Sequence, residues 1–318
     1  MRIEIYGSSH ASEVGVVIEG VPQGVLLDEA LFECDLARRR AALRGDTPRR
    51  ESDIPIIEGL DDNRRTTGAT ISIKFRNSDT RSGDYSQFER QPRPSHADLV
   101  QRRKYGAEYS IAGGGMASGR MTVALVAAGV VAKQLIPSVS FETKLVQVGT
   151  ERDAERFEDV IAEAARIGDS VGGVVECRAK GVPCSLGEPF FDSVESVMAH
   201  LLFSIPAVKG VEFGDGFAGA AKCGSERNDS IVDRWGHTAT NNEGGINGGI
   251  SNGNDIVVRV AIKPTPSISI EQNTYDFEIG EVAPLRVGGR HDNCIARRAA
   301  VVVEAMVALA LADLKLRA

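Results

Sequence analysis

Aromatic side chains are scarce in this 318-residue chain, at 5% with a single tryptophan, and the net charge is −7. Proteins that hold nucleic acid interleave aromatics with a basic balance, so a nucleic-acid partner is not expected. The five cysteines (Cys34, Cys177, Cys184, Cys223 and Cys294) are odd in number, scattered, and without a C-x-x-C pair. That argues against a disulfide framework and against a metal site, and for reduced thiols in the cytoplasm. The opening MRIEIYGSSHASE has no apolar signal region. The longest apolar run, Val301 to Leu311, is broken by Glu304 and too short to span a bilayer, so a soluble chain with no membrane partner is expected. Neither G-x-G-x-x-G nor a GK[ST] phosphate loop is present, and no repeat of 20–50 residues recurs.

Basic residues, mostly arginine, crowd between Arg38 and Lys104. An acidic protein with an arginine-rich third suits a small polyanion, although any one of these arginines is as readily part of a solvated face. A second concentration runs from Thr240 to Ser267. Its first part, TNNEGGINGGISNGND, is built of glycine and asparagine, which tolerate positive φ and let a backbone approach a ligand closely. Ile256 to Ile262 reads as a buried strand, and Lys263-Pro264-Thr265-Pro266-Ser267 places a cation, two hydroxyls and two rigid φ angles at its exit. Together these suit a phosphorylated or planar ligand; the competing reading is a glycine-rich hairpin with a proline-rich exit turn.

Elsewhere the pattern predicts strands over Met1 to Tyr6, Gly15 to Glu19, Gly68 to Lys74 and Gly173 to Ala179. Lys209 to Phe217 reads as a strand and turn. Helices are predicted after Asp28 as cap, from about Ser118 to Leu135, over Glu155 to Ile167 and Val194 to Leu202, and from about Ile295 to Leu316. Asp79 to Ser95 reads as a long ordered loop. Without a βαβ rhythm or a linker, the expectation is a single α+β domain over residues 1–318.

Of the five histidines, His10 and His96 sit in turns beside Gly, Ser or Pro, where side chains are presented to ligands; His200 falls on a predicted helix and reads as structural. Imidazoles are suited to proton transfer near neutral pH, so two loop histidines among many arginines suggest acid–base work on a phosphorylated substrate. Asp292, just before the last helix, is equally readable as its N-cap.

Twelve segments then fall into one order. They include GSSH at 7–10, RRESD at 49–53, NSDTRSGDYS at 77–86, RPSHAD at 93–98 and GGGMASGR at 113–120. AVKGVEFGDGF at 207–217, NNEGGINGGISNG at 241–253, KPTPSI at 263–268 and GRHDNC at 289–294 follow. Over essentially its whole length the chain resembles the chorismate synthase family. The resemblance implies a fold with helices packed between antiparallel sheets and a homotetramer. It also implies 1,4-elimination of phosphate from 5-enolpyruvylshikimate 3-phosphate, giving chorismate in aromatic amino-acid biosynthesis, with reduced FMN required although no net redox change occurs. NADPH is the reductant it suggests for the flavin. By the same resemblance, His10 protonates the departing phosphate with Ser9 assisting, and His96 protonates or stabilises the reduced flavin. Asp292 lies near the flavin N5, and Ser118 supports the relay. FMN-binding positions carry over to Met116, Ala117, Ser118, Pro206, Ala207, Gly248, Lys263, Pro264, Thr265, Pro266, Ser267 and Arg290. Substrate-phosphate or pyridine-nucleotide positions carry over to Arg39 and Arg44.

The chain departs from the family pattern at Ser8 and Ala11 around the first histidine, at Pro206, and at Met116 and Met121, where arginine and glutamate are usual. Those two methionines motivate an alternative, a diverged paralogue that binds FMN or an anion without turnover. Met116→Arg is predicted to tighten FMN or substrate binding by about 1.5–3 kcal/mol through charge-assisted hydrogen bonds. Titration of both proteins with FMN, with and without substrate, checks this; weaker binding of both ligands by the variant would mean a pocket rebuilt around the thioether.

Overall fold

The computed structural model describes residues 1–40, 43, 45–80, 85–289 and 291–318. Two of the expected binding residues, Arg44 and Arg290, lie outside the described residues. Strands β1 (Arg2–Gly7) and β2 (Glu13–Glu19) form a hairpin, and helix α1 (Glu29–Arg39) follows. Asp28 caps α1 as expected, its Oδ1 accepting from the Ala30 N–H at 2.9 Å. Strands β3 (Ile56–Glu58) and β4 (Ile71–Arg76) complete a first antiparallel sheet of order β1-β2-β4-β3. The expected loop 79–95 contains a short helix, α2 (Gln87–Arg90), and leads into α3 (Asp98–Tyr105).

Helix α4 spans Thr122–Leu135. It starts later than predicted because Gly113, Gly114 and Gly115 all take positive φ and Ser118 is extended, so only short 3₁₀ turns form before it. Strand β5 (Ser140–Val148), helix α5 (Phe157–Arg166), strand β6 (Gly173–Lys180), helix α6 (Val194–Phe203) and strand β7 (Val208–Phe213) come next. Two four-residue helices, α7 (Gly216–Gly219) and α8 (Gly224–Arg227), lead to the glycine-asparagine tract. That tract folds as the hairpin of β8 (Ile246–Asn247) and β9 (Ile250–Ser251). Strand β10 (Ile256–Ile262) lies inside a second antiparallel sheet of order β5-β6-β10-β7; Ile256, Val258, Val260 and Ile262 face the core, while Arg259 on the other face pairs with Glu176 and Glu212 of the neighbouring strands. A last hairpin, β11 (Gln272–Asp276) and β12 (Glu281–Leu285), precedes the terminal helix α9 (Ile295–Arg317).

The layers run sheet, helices, sheet. Helix α4 packs on β2 and β4 of the first sheet, α9 on β5 and β6 of the second, and the two helices pack on each other. The architecture is therefore the expected α+β one, with a main apolar core that draws on residues from Val14 to Leu314 and a small second cluster of Phe88, Ile111, Leu285 and Val287. At its centre is a charge cluster. Glu304 of α9, 3% exposed, accepts from Arg38 Nη1 and Nη2 of α1 at 2.7 Å each and from Lys133 of α4. Lys133 also reaches Asp35 of α1. Burial opposes the Glu304 charge, but Arg38's hydrogen bonds and the adjacent Lys133 outweigh it and bring the pKa from 4.5 to about 2. A depressed carboxylate stabilises the fold above its unfolded pKa, and that stability drains away as pH falls from there toward about 2. Glu304→Gln should cost about 1–3 kcal/mol at pH 7, because part-exposed Arg38 and Lys133 are left with Asp35 as their one shared counter-charge. Urea unfolding at pH 7 and in the acid range should show the gap from wild type narrowing as the wild-type carboxylate protonates.

Candidate active site

Helices α4 and α9 both begin at a cleft of about 520 Å³, which Thr122 lines from the first and Ile295 and Arg298 from the second. Helix N-termini carry partial positive charge and favour anions. Among the described residues that line the cleft, nine are Lys or Arg and three are Asp or Glu, so its wall is cationic although the protein is acidic. The arginine-rich third divides here. Arg39, Arg40, Arg49, Arg50 and Arg93 face the cleft, whereas Arg38, Arg64 and Arg90 are spent in ion pairs with Glu304, Glu29 and Asp276.

Ser9 is fully buried at the cleft wall. Its Oγ accepts from Arg49 Nη1 at 2.8 Å and its carbonyl from Arg49 Nη2 at 2.9 Å. Glu51 Oε1 holds the same guanidinium, at 3.0 Å from Nε and 2.7 Å from Nη2. His10 stands edge-on to Tyr85 with ring centroids 5.1 Å apart.

His96 Nδ1 lies 2.7 Å from Asp98 Oδ1, which assigns Nδ1 as the protonated nitrogen and leaves Nε2 with its lone pair. Arg93 grips the same carboxylate through Nε at 2.8 Å and Nη2 at 2.7 Å, and donates from Nη1 to Ser267 Oγ at 3.0 Å. Burial lowers the His96 pKa, with the Arg93 charge adding to it and Asp98 opposing, so the ring is neutral near pH 7. Asp98 is held well below the usual carboxylate range: burial works against its charge, but the hydrogen bonds from Arg93 and His96 prevail.

The triple glycine separates the two imidazoles. A Cβ on Gly113 would stand 2.5 Å from Ser9 Oγ and 2.6 Å from the His10 ring, while one on Gly114 would stand 3.6 Å from the His96 ring. With φ of 62° and 87°, these positions also exclude ordinary side chains on backbone grounds. Thus His10, Ser9, Ser118 and His96 are brought around one turn.

Asp292 is not the cap of α9. Cys294 takes the N-cap position, and the Asp292 oxygens accept from Arg298 Nη1 at 2.9 and 2.8 Å and from the Thr47 N–H at 3.0 Å. Arg39, 4% exposed, holds Asp53 through Nη2 at 3.0 Å, and Arg120 takes the other Asp53 oxygen. Burial pulls the Arg39 pKa down to about 10.

At the far wall, Lys263 donates to the Ser95 carbonyl at 2.8 Å, and Ala117, Pro206, Ala207, Thr265, Pro266 and Ser267 face the cleft. Met116, 45% exposed, Pro264, and Gly248 in the β8–β9 turn are placed off its wall. Arg298 is not among the expected site residues, and Arg49 was expected only as part of the arginine-rich third and of the RRESD segment. For Arg49 the available signal was a glutamate two residues on; Arg298 has none, being brought to Asp292 by the first turns of α9.

His96 on the wall of a cationic cleft, with His10 against the other side of the same glycine turn and off the wall itself, suits an enzyme that moves protons on a multiply anionic ligand. The chain matches the chorismate synthase family over residues 1–316. It is 52% identical to a chorismate synthase of Chitinophaga pinensis, covering 99% of this chain and 94% of that one. It is 45% identical to one from Archaeoglobus fulgidus, covering 98% and 94%. A solved chorismate synthase crystal structure superposes with a TM-score of 0.75 at 26% identity, covering 99% of this chain and 91% of the other. The chain belongs to the chorismate synthase family. Its activity is that of a carbon–oxygen lyase, the elimination of phosphate from 5-enolpyruvylshikimate 3-phosphate to give chorismate in the shikimate pathway.

Gly113→Ala should lower turnover by about 10- to 100-fold by displacing Ser9 and His10. Gly24→Ala, which has φ of +90° but nothing within 4 Å of the added Cβ, is the control for backbone strain alone. Equal turnover in the two variants would show that the Gly113 contact is not needed.

Proposed function

We propose that the cleft performs this elimination with reduced FMN held along Lys263 to Ser267 and against Ala117, Ser118, Pro206 and Ala207, and with the substrate's anionic groups facing the arginines. The observation that carries this reading is the placement of Ser9 and His10 on one side of the triple glycine and of His96 on the other. The residues present suit a flavin. Thr265 Oγ1 is buried with no partner among the described residues, and a buried hydroxyl left unpaired is costly unless a ligand meets it. Ala207, on the same cleft wall, holds a positive φ of 74°, a strained conformation of the kind retained at binding sites.

Reduced FMN, when bound, supplies the electron-rich ring that assists phosphate departure without net redox change. The rest is the work of the chain's own groups. His10, with the Ser9 hydroxyl beside it, delivers a proton to the leaving phosphate. His96 begins neutral with Nδ1–H on Asp98; an anion arriving in the cleft favours the charged ring, so the proton is taken up on ligand binding rather than before. Asp292, oriented by Arg298, offers a carboxylate at the same wall, and Arg39 stiffens the floor through Asp53. With NADPH as reductant, anaerobic NADPH oxidation on addition of FMN tests whether the protein reduces its own flavin.

The proposal extends to the assembly. Exposed Phe190, Phe191 and Trp235, at 85%, 93% and 68%, suit burial between subunits of a homotetramer, and five unpaired cysteines suit the cytoplasm. None of the described helices is long and apolar enough to cross a membrane. A single domain over residues 1–318 is supported by a main core that draws on residues from Val14 to Leu314.

Anaerobic assay of phosphate release with reduced FMN and 5-enolpyruvylshikimate 3-phosphate is the direct test. His10→Ala and His96→Ala should each reduce turnover by about two to four orders of magnitude. His200→Ala, on the exposed side of α6, should have a small effect. Wild-type turnover in either of the first two at saturating substrate removes that histidine's role; no phosphate release by the wild type removes the reading altogether.

A further inference from the structure

Glu51 has no place in the proton transfers above, yet every part of its carboxylate is used. Oε1 accepts from Arg49 Nε and Nη2 and from the Asp79 N–H at 3.3 Å. Oε2 accepts from the Ser78 N–H and Ser78 Oγ at 2.9 Å each. Its side chain is 5% exposed, and that of its partner Arg49 is 15% exposed. Burial opposes the charge, but the bonds from Ser78 and Arg49 keep the carboxyl below its ordinary range, so it is an anion at all working pH values.

Of the five N–H groups of Arg49, Glu51 takes two, the Ser9 carbonyl one and Ser9 Oγ one, leaving a single N–H on Nη1. A guanidinium so committed is a poor bidentate clamp for a phosphate. What it does instead is fix Ser9. With a lone pair of Ser9 Oγ receiving the Arg49 proton, and no acceptor for the hydroxyl hydrogen among the described residues, that hydrogen is left for the cleft. We infer that Glu51, acting through Arg49, is a positioning residue that holds the Ser9 hydroxyl as a hydrogen-bond donor toward the departing phosphate. The same carboxylate ties the loop at Ser78 and Asp79 to this arrangement, so the orientation of Ser9 is set by three segments far apart in the chain.

The inference rests on the assignment of Ser9 and His10 to phosphate departure, and the test separates the two. Glu51→Gln replaces one acceptor oxygen with an amide that confronts the donors of Arg49 or Ser78. In anaerobic steady-state kinetics with reduced FMN it should lower kcat by about 10- to 100-fold while KM moves less than about threefold, the mark of an interaction made in the transition state. In a Ser9→Ala background the same substitution should cost less than about twofold, because the group it positions is gone. Arg49→Lys keeps the charge and loses the double donation to Ser9, so it should repeat the pattern and serves if Glu51→Gln lowers the unfolding midpoint. A rise in KM with kcat unchanged would make the pair a substrate anchor and overturn the inference. So would additive losses in the double variant. Full turnover in Ser9→Ala would overturn the underlying assignment itself, whatever Glu51→Gln does.

Discussion

The structure depends on how closely α4 and α9 approach. A Cβ on Gly129 would lie 2.3 Å from the Ala305 Cβ and 2.5 Å from its Cα, so glycine here is the condition for the two helix backbones to meet. Interiors packed at crystal density do not absorb an added methyl without moving something. The spacing of these helices sets the spacing of the sheets they carry, and it sets the position of their first turns. Because Thr122 and Arg298 both stand at the cleft, a shift at Gly129 is a shift of the site. The Glu304 cluster across the same three helices adds direction to this contact: opposite charges in a low-dielectric interior tolerate one register only.

An acidic chain can still present a cationic cleft because its carboxylates are deployed as supports. Asp53 stands between Arg39 and Arg120, Asp98 under Arg93, Glu51 under Arg49 and Asp292 under Arg298. Each pair fixes a guanidinium that would otherwise have many rotamers, and the resulting field is present before the ligand arrives. Electrostatic preorganisation of this kind costs no rearrangement when charge develops on a leaving group. It also explains why several arginines at the cleft have few donors to spare.

Much of the fold was legible because it follows from local sequence. Strand β10 occupies the predicted Ile256–Ile262, and Asp28 caps α1, since a continuous β-branched run and an Asx cap act over a few residues. The family relationship was legible from the ordered motifs. Features that depend on contacts made far along the chain were not. Three successive left-handed glycines have meaning only once residues 9, 10 and 96 lie against them, and nothing within ten residues of Gly113 announces this. Asp292 looked like a cap because it precedes a helix; Arg298, at the end of that helix's first turn, takes its carboxylate instead. The glycine-asparagine tract held both the features of a ligand loop and those of a hairpin. Only its exit, from Lys263, reaches the cleft, while Gly248 stays in the hairpin.

The spread of the cleft along the chain, from Ser9 to Val302, has a consequence during synthesis. At roughly 5–20 residues per second, about 10–35 s separate the emergence of α4 from that of α9. For that time the nascent chain holds an α4 whose residues Val123 to Ala132 are all destined for burial and whose principal neighbour has not been translated. A ribosome-bound intermediate with an uncovered apolar helix is a natural client for holding chaperones. Slowing the ribosome between these two helices should therefore lower the yield of soluble enzyme far more than slowing it before residue 100.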